Sequence, residues 1–164
     1  MLLTTLTLTG IFLLATVLGN VFDRFGDWDY PILIYGKDYT YEWMPIGIFL
    51  YKSVWLFLMV LLFSYYLLFF FSFLTNRAII ALGMTLILLV LGVNWSEQSV
   101  LSENTHFYPF HYFKVFLIVS NEFAVLQDNF AFSYLNGMLS LAISSIALLF
   151  FTCLLSVYRY RTRG

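Results

Sequence analysis

Few residues in this chain have the chemistry for catalysis or ligation, and their spacing limits what they can do. The 164 residues include two histidines, His106 and His111, and one cysteine, Cys153. Haem in a membrane bundle is held by side chains such as histidine that project from the spans. Both histidines here fall outside every long apolar run. Five apart on a helix they would point to different faces, which disfavours a two-histidine metal site. They are expected to be solvent-exposed or interfacial. Cys153 has no partner for a disulfide and sits in an apolar run, where it packs as a small hydrophobe. A proton or ion path needs an ionisable group inside a span. Lys52 comes nearest, but it stands at the start of an apolar run, where its stem can snorkel to the interface. The chain has no glycine-rich phosphate loop, nucleophile–histidine arrangement or pocketed carboxylate pair. No catalytic residue, cofactor or metal is therefore expected. Aromatic rings and a tyrosine hydroxyl also suit a quinone pocket, yet nothing singles one out.

Composition explains this scarcity. The chain is 62% hydrophobic and only 10% charged, where soluble domains average about 25% charged residues. That much apolar surface has to face lipid. A soluble enzyme, a disulfide-stapled secreted domain, a disordered tail and a nucleic-acid-binding module are all excluded. The net charge of −1 gives no steering toward an anionic partner.

Charged breaks divide the apolar runs into an all-α membrane domain of four transmembrane helices plus an amphipathic interfacial helix, occupying residues 1–164. The first span covers about 2–22. It carries no charge, and with no basic residue ahead of it a retained helix is expected over a cleaved signal peptide. The others cover about 46–74, 78–95 and 133–158, each long enough for a hydrocarbon core of about 30 Å. Thr75-Asn76-Arg77 joins the second and third as a tight antiparallel hairpin. Segments 23–45 and 96–132 are left as outward surface segments. The first is rich in Trp and Tyr and is expected to lie at the headgroup level. In the second, Phe107, Phe110, Phe113 and Phe116 recur every three residues and would share one helix face. Lys114 and Glu122 make a fifth span through it costly, so an interfacial helix is expected.

Basic residues near membrane ends set orientation. With four spans, Arg77 and the terminal Arg159, Arg161 and Arg163 fall on one side. All nine acidic residues fall on the other: Asp23, Asp27, Asp29, Asp38, Glu42, Glu97, Glu103, Glu122 and Asp128. Both termini are expected on the cytoplasmic or matrix side.

The remaining information concerns packing. Ser133, Gly137, Ser140, Ser144 and Ala147 form a narrow small-residue face on the last span. Such faces let helix backbones approach where lipid supplies no hydrophobic drive. The contact would be made within the chain or with a partner subunit. Thr5, Thr9, Thr16 and Asn20 form a similar face on the first span. The second span has aromatic residues on every side, and its mid-membrane Tyr65 and Tyr66 hydroxyls call for an acceptor.

The stretches LLFSYYLLFFFSFL and HFYPFHYFKVFLIV resemble the small, divergent respiratory-chain subunits encoded in protist mitochondria, notably those of ciliates. The resemblance is one of style rather than motif. The third subunit of the NADH dehydrogenase would carry a loop cysteine, and its sixth a Gly- and Val-rich third helix. Cytochrome b and the main oxidase subunit would carry haem-ligating histidines in spans. None of these matches. The resemblance implies a structural or accessory subunit of the mitochondrial inner membrane, without its own redox centre. Its partners would be other membrane subunits and phospholipids, cardiolipin among them. The same composition fits a membrane subunit of the ATP synthase. A small homo-oligomeric transporter or channel is a third reading, but it wants polar lining within a span.

Overall fold

The computed structural model describes residues 17, 27–36, 40–98 and 105–163. It is mostly helical, and three of its helices are long and apolar enough to cross a membrane. The run at 2–22, with Thr5, Thr9, Thr16 and Asn20, lies outside the described residues apart from Val17.

The chain enters through a β-hairpin, β1 (Pro31–Tyr35) and β2 (Tyr41–Pro45), paired antiparallel with Leu33 opposite Trp43. A surface loop was expected in this segment, and the correction is physical. Tyr and Ile favour an extended pleat, and the Gly36 N–H donates to the Thr40 carbonyl at 2.8 Å to close the turn. Tyr35 then donates its N–H to the Ser120 carbonyl at 3.0 Å, tying the hairpin to a distant segment.

From Pro45 the chain turns directly into helix α1 (Ile46–Thr75). Its buried residues, Ser53, Leu56, Val60, Phe63, Leu67 and Phe71, follow the three-four spacing of one helical stripe. Asn76 ends it in the left-handed conformation (φ 54°), its N–H donating to the Ser72 carbonyl. Asparagine tolerates this geometry better than most residues. Helix α2 (Ala78–Gln98) returns antiparallel and packs along α1.

Residues 105–132 do not contain the single amphipathic helix expected over about 107–126. They fold as 3-10 turns Thr105–Phe107 and Pro109–Phe113, then the short helices α3 (Val115–Val119) and α4 (Glu122–Leu126). Lys114 leaves the helical region at ψ 59°, and Asn121 turns left-handed at φ 58°. The four phenylalanines consequently part company. Phe110 and Phe113 meet Phe63 edge-on at 5.7 and 6.2 Å, Phe116 stacks on Phe49 at 6.1 Å, and Phe107 is exposed. This segment caps one end of the bundle.

Helix α5 (Tyr134–Arg163) starts under the cap and runs beside α1 in the same direction. At its far end the Arg159 guanidinium donates to the Phe73 carbonyl and to Asn76 Oδ1, both at 2.8 Å, and lies over the Phe73 ring. Arg159 therefore caps the C-terminus of α1, where a cation also meets the negative end of the helix dipole. Arg77 follows that same terminus. The structure thus has an arginine end and a capped end.

Replacing Arg159 with Leu would leave the Phe73 carbonyl without its donor while keeping apolar bulk. Loss of these charge-assisted bonds should cost about 1–3 kcal/mol. Thermal unfolding in mild detergent should show the drop, whereas Leu154→Ala on the exposed face of α5 should change little.

Candidate functional site

The main buried core lies at the capped end. Leu56, Val60 and Phe63 of α1 and Leu141 of α5 enclose Tyr112, Val115, Ile118, Val119, Phe123 and Phe132. Two glycines let the cap enter. A Cβ on Gly92 of α2 would stand 2.6 Å from the Phe110 ring, and one on Gly137 of α5 would stand 2.5 Å from Tyr112 Cδ1. Real side chains do not approach that closely. Each ring therefore sits on bare backbone.

Hydrogen bonds lock this insertion. The Tyr112 hydroxyl donates to the His106 carbonyl at 2.7 Å, and Ser140 Oγ donates to the Phe107 carbonyl at 2.6 Å. Burial pushes the Tyr112 phenol well above its ordinary pKa, so it remains a donor. The small-residue face of the last span is thus brought against this chain's own cap at Gly137 and Ser140. Ser133 precedes α5 and accepts the Asn136 N–H at 3.4 Å, as an N-cap residue does. Ser144 and Ala147 are only half-buried. Below Ser140 the buried line instead shifts to Leu141, Ser145 and Thr152. Arg161 and Arg163 extend the backbone of α5 beyond Arg159.

His111 overturns one expectation. It was expected to be exposed or interfacial, yet it is only 1% exposed, packed against Phe132 (5.0 Å between ring centroids) and Phe123 (5.8 Å). Neither ring nitrogen has a hydrogen-bond partner. Desolvation, reinforced by the Lys114 charge, lowers its pKa to about 4. The imidazole is accordingly neutral at pH 7. No local sequence signal marks it, because its burial comes from Phe123 and Phe132, more distant in the chain.

The cap also roofs a groove of about 820 Å³, lined by Phe71 of α1, by Met84, Leu88, Leu91, Gly92 and Trp95 of α2, and by Tyr108 and Phe110. Among the described residues no cluster of three His, Cys, Asp or Glu side chains is placed to hold a metal ion. Comparison with protein-family models, curated proteins and solved structures finds no match to this chain. What the junction does chemically must therefore be read from its own geometry. It is an apolar, hydrogen-bonded lock between a surface segment and three helices.

The lower helices contrast with this core. Tyr65 is 59% exposed and touches Tyr66 edge-on at 5.9 Å. Neither hydroxyl has an acceptor among the described residues.

Two outcomes follow. Gly92→Ala and Gly137→Ala each force an inserted ring aside, half-buried Phe110 or buried Tyr112, and should destabilise by about 1–3 kcal/mol. Gly83→Ala, with nothing within 4 Å of the new methyl, should be neutral or gain up to about 1 kcal/mol from helix propensity. Thermal unfolding of the three variants separates these cases. His111 sets a pH dependence. Its folded pKa lies below the ordinary 6.5, so the unfolded chain binds more protons between the two values. Stability should fall as pH drops from about 6.5 toward 4, by up to about 3 kcal/mol. His111→Phe should flatten that slope and raise the melting temperature, as it removes two unpaired buried nitrogens.

Proposed function

We propose that this protein is a structural subunit of a respiratory-chain complex in the mitochondrial inner membrane, with no redox centre of its own. Its four spans, the first over residues 2–22, would be wedged among neighbouring subunits. The end carrying Arg77, Arg159, Arg161 and Arg163 would face the matrix, and the hairpin and cap the intermembrane space.

One observation carries the reading. Tyr65 presents a phenol from the middle of a span, outward from its own bundle and without an acceptor among the described residues. An unpaired hydroxyl in hydrocarbon costs a few kcal/mol, and a neighbouring helix with a carbonyl or polar side chain removes that cost. The surrounding surface agrees. Trp55, Phe57, Leu58, Leu61, Leu62 and Phe69 are all exposed on the same helix. The choice of the respiratory chain rests on the resemblance of the aromatic stretches to protist mitochondrial subunits.

The mechanism is architectural. The cap and hairpin give the outward end a fixed shape, while the exposed helix faces hold neighbours and phospholipids, cardiolipin included. No residue is assigned a catalytic step. The ATP synthase is the second assembly that this surface fits. A homo-oligomeric transporter is disfavoured, since Asp, Glu, Lys and Arg are absent from 53–74 and 78–95.

Native gel electrophoresis after mild detergent extraction tests the reading. Co-migration with NADH dehydrogenase or oxidase activity is expected. Co-migration with ATPase activity would move the protein to the other complex. A discrete homo-oligomer with neither activity would sink both. Tyr65→Phe should weaken retention in the assembly while leaving the isolated chain as stable as before.

A further inference from the structure

The groove on α2 is not filled by any described residue, and its shape is specific. Its α2 lining runs from Met84 to Ser96, about 18 Å along the axis at the helical rise. Its volume of about 820 Å³ falls within the range of small-molecule sites. One wall is Phe71 of α1, and the roof is Phe110, held down on Gly92. The walls are built by packing within this chain, unlike the convex lipid-facing side of the same helix at Leu86 and Val90.

Polarity along the groove is graded. From Phe71 and Met84 through Leu91 every lining side chain is apolar. At the capped end stand Trp95, Ser96 and Tyr108. The Ser96 hydroxyl donates to the Val93 carbonyl at 2.7 Å. The Trp95 indole N–H and the Tyr108 hydroxyl make no hydrogen bond among the described residues. Trp95 and Tyr108 are 74% and 55% exposed. Indole and phenol groups at a helix end mark the level where hydrocarbon gives way to headgroups. Among the described residues no lysine or arginine lines the groove.

We infer that the α2 groove is a binding site for one zwitterionic phospholipid, its acyl chain lying between Phe71 and Gly92 and its head held at Trp95 and Tyr108. A hydrocarbon tail fits a site that is apolar along its length. A head with ester and phosphate oxygens fits a rim that offers donors and no cation. An anionic lipid would lack a counter-charge there. This inference does not depend on which complex, if any, holds the protein.

Native mass spectrometry of the full chain tests it, after extraction from vesicles of equal parts phosphatidylcholine and phosphatidylglycerol. The wild type should keep one phosphatidylcholine through detergent washing. Ile87→Trp combined with Leu91→Trp fills the groove from exposed positions and should lower retention about tenfold. Leu86→Trp combined with Val90→Trp puts the same bulk on the other face and should keep the lipid. Trp95→Phe combined with Tyr108→Phe preserves shape without the donors, and should lower retention of phosphatidylcholine. The inference is overturned if the wild type retains no lipid, if phosphatidylglycerol is retained equally, or if both tryptophan pairs behave alike. A photo-crosslinker at Leu91 that captures a polypeptide in native membranes would also overturn it, making the groove a protein interface.

Discussion

Aromatic rings seated on bare backbone hold this fold together. In lipid, helices gain no hydrophobic energy by meeting, so association depends on close van der Waals fit and on hydrogen bonds. At Gly92 and Gly137 the cap supplies both. Phe110 and Tyr112 fill space that any side chain on those helices would occupy, and the Tyr112 and Ser140 hydroxyls bond to carbonyls of the same turn region. The rest follows from that anchoring. With residues 106–113 fixed, α3 lies against α1, Ser120 and Asn121 reach Tyr35, and the hairpin is held at the mouth of α1. Asn121 Nδ2 donates to the Tyr35 carbonyl at 3.0 Å while the Tyr35 N–H donates to Ser120. Segments far apart in sequence thus become one layer at the capped end.

The opposite end is held by charge instead. Arg159 satisfies carbonyl and amide oxygens where α1 stops, at the turn that also places Arg77. A guanidinium suits this role because its planar donors reach two acceptors at once. Arg159 thereby also joins the end of α5 to the end of α1.

The three described spans were readable because long uncharged runs are a strong signal, and their edges differ from the helices by only a few residues: α2 continues past Trp95 to Gln98. The cap was not readable by the same means. A step of three through Phe107, Phe110, Phe113 and Phe116 imitates a helix face. Lys114 and Asn121 break the helix at positions where neither residue type demands it. The hairpin escaped for a related reason: both faces of its strands carry large apolar residues, so alternation is blurred. On α5, the small-residue pattern located Gly137 and Ser140 correctly but missed the turn of the buried line toward Ser145 and Thr152. Small residues mark where something approaches closely. They do not say what approaches, and here it is a loop ring and a carbonyl rather than another helix.

His111 shows how far the cap departs from an ordinary surface segment. An imidazole with two unpaired nitrogens costs free energy to bury, and Phe123 and Phe132 enclose it nonetheless. Such a cost is sustained only where surrounding packing exceeds it. The enclosing rings belong to the same layer that roofs the α2 groove, and Tyr108 lines that groove while its ring lies 6.3 Å from the His111 centroid. Strain at His111 and the shape of the groove are therefore not independent. The buried imidazole of the cap and the α2 groove thus border one aromatic side chain, Tyr108.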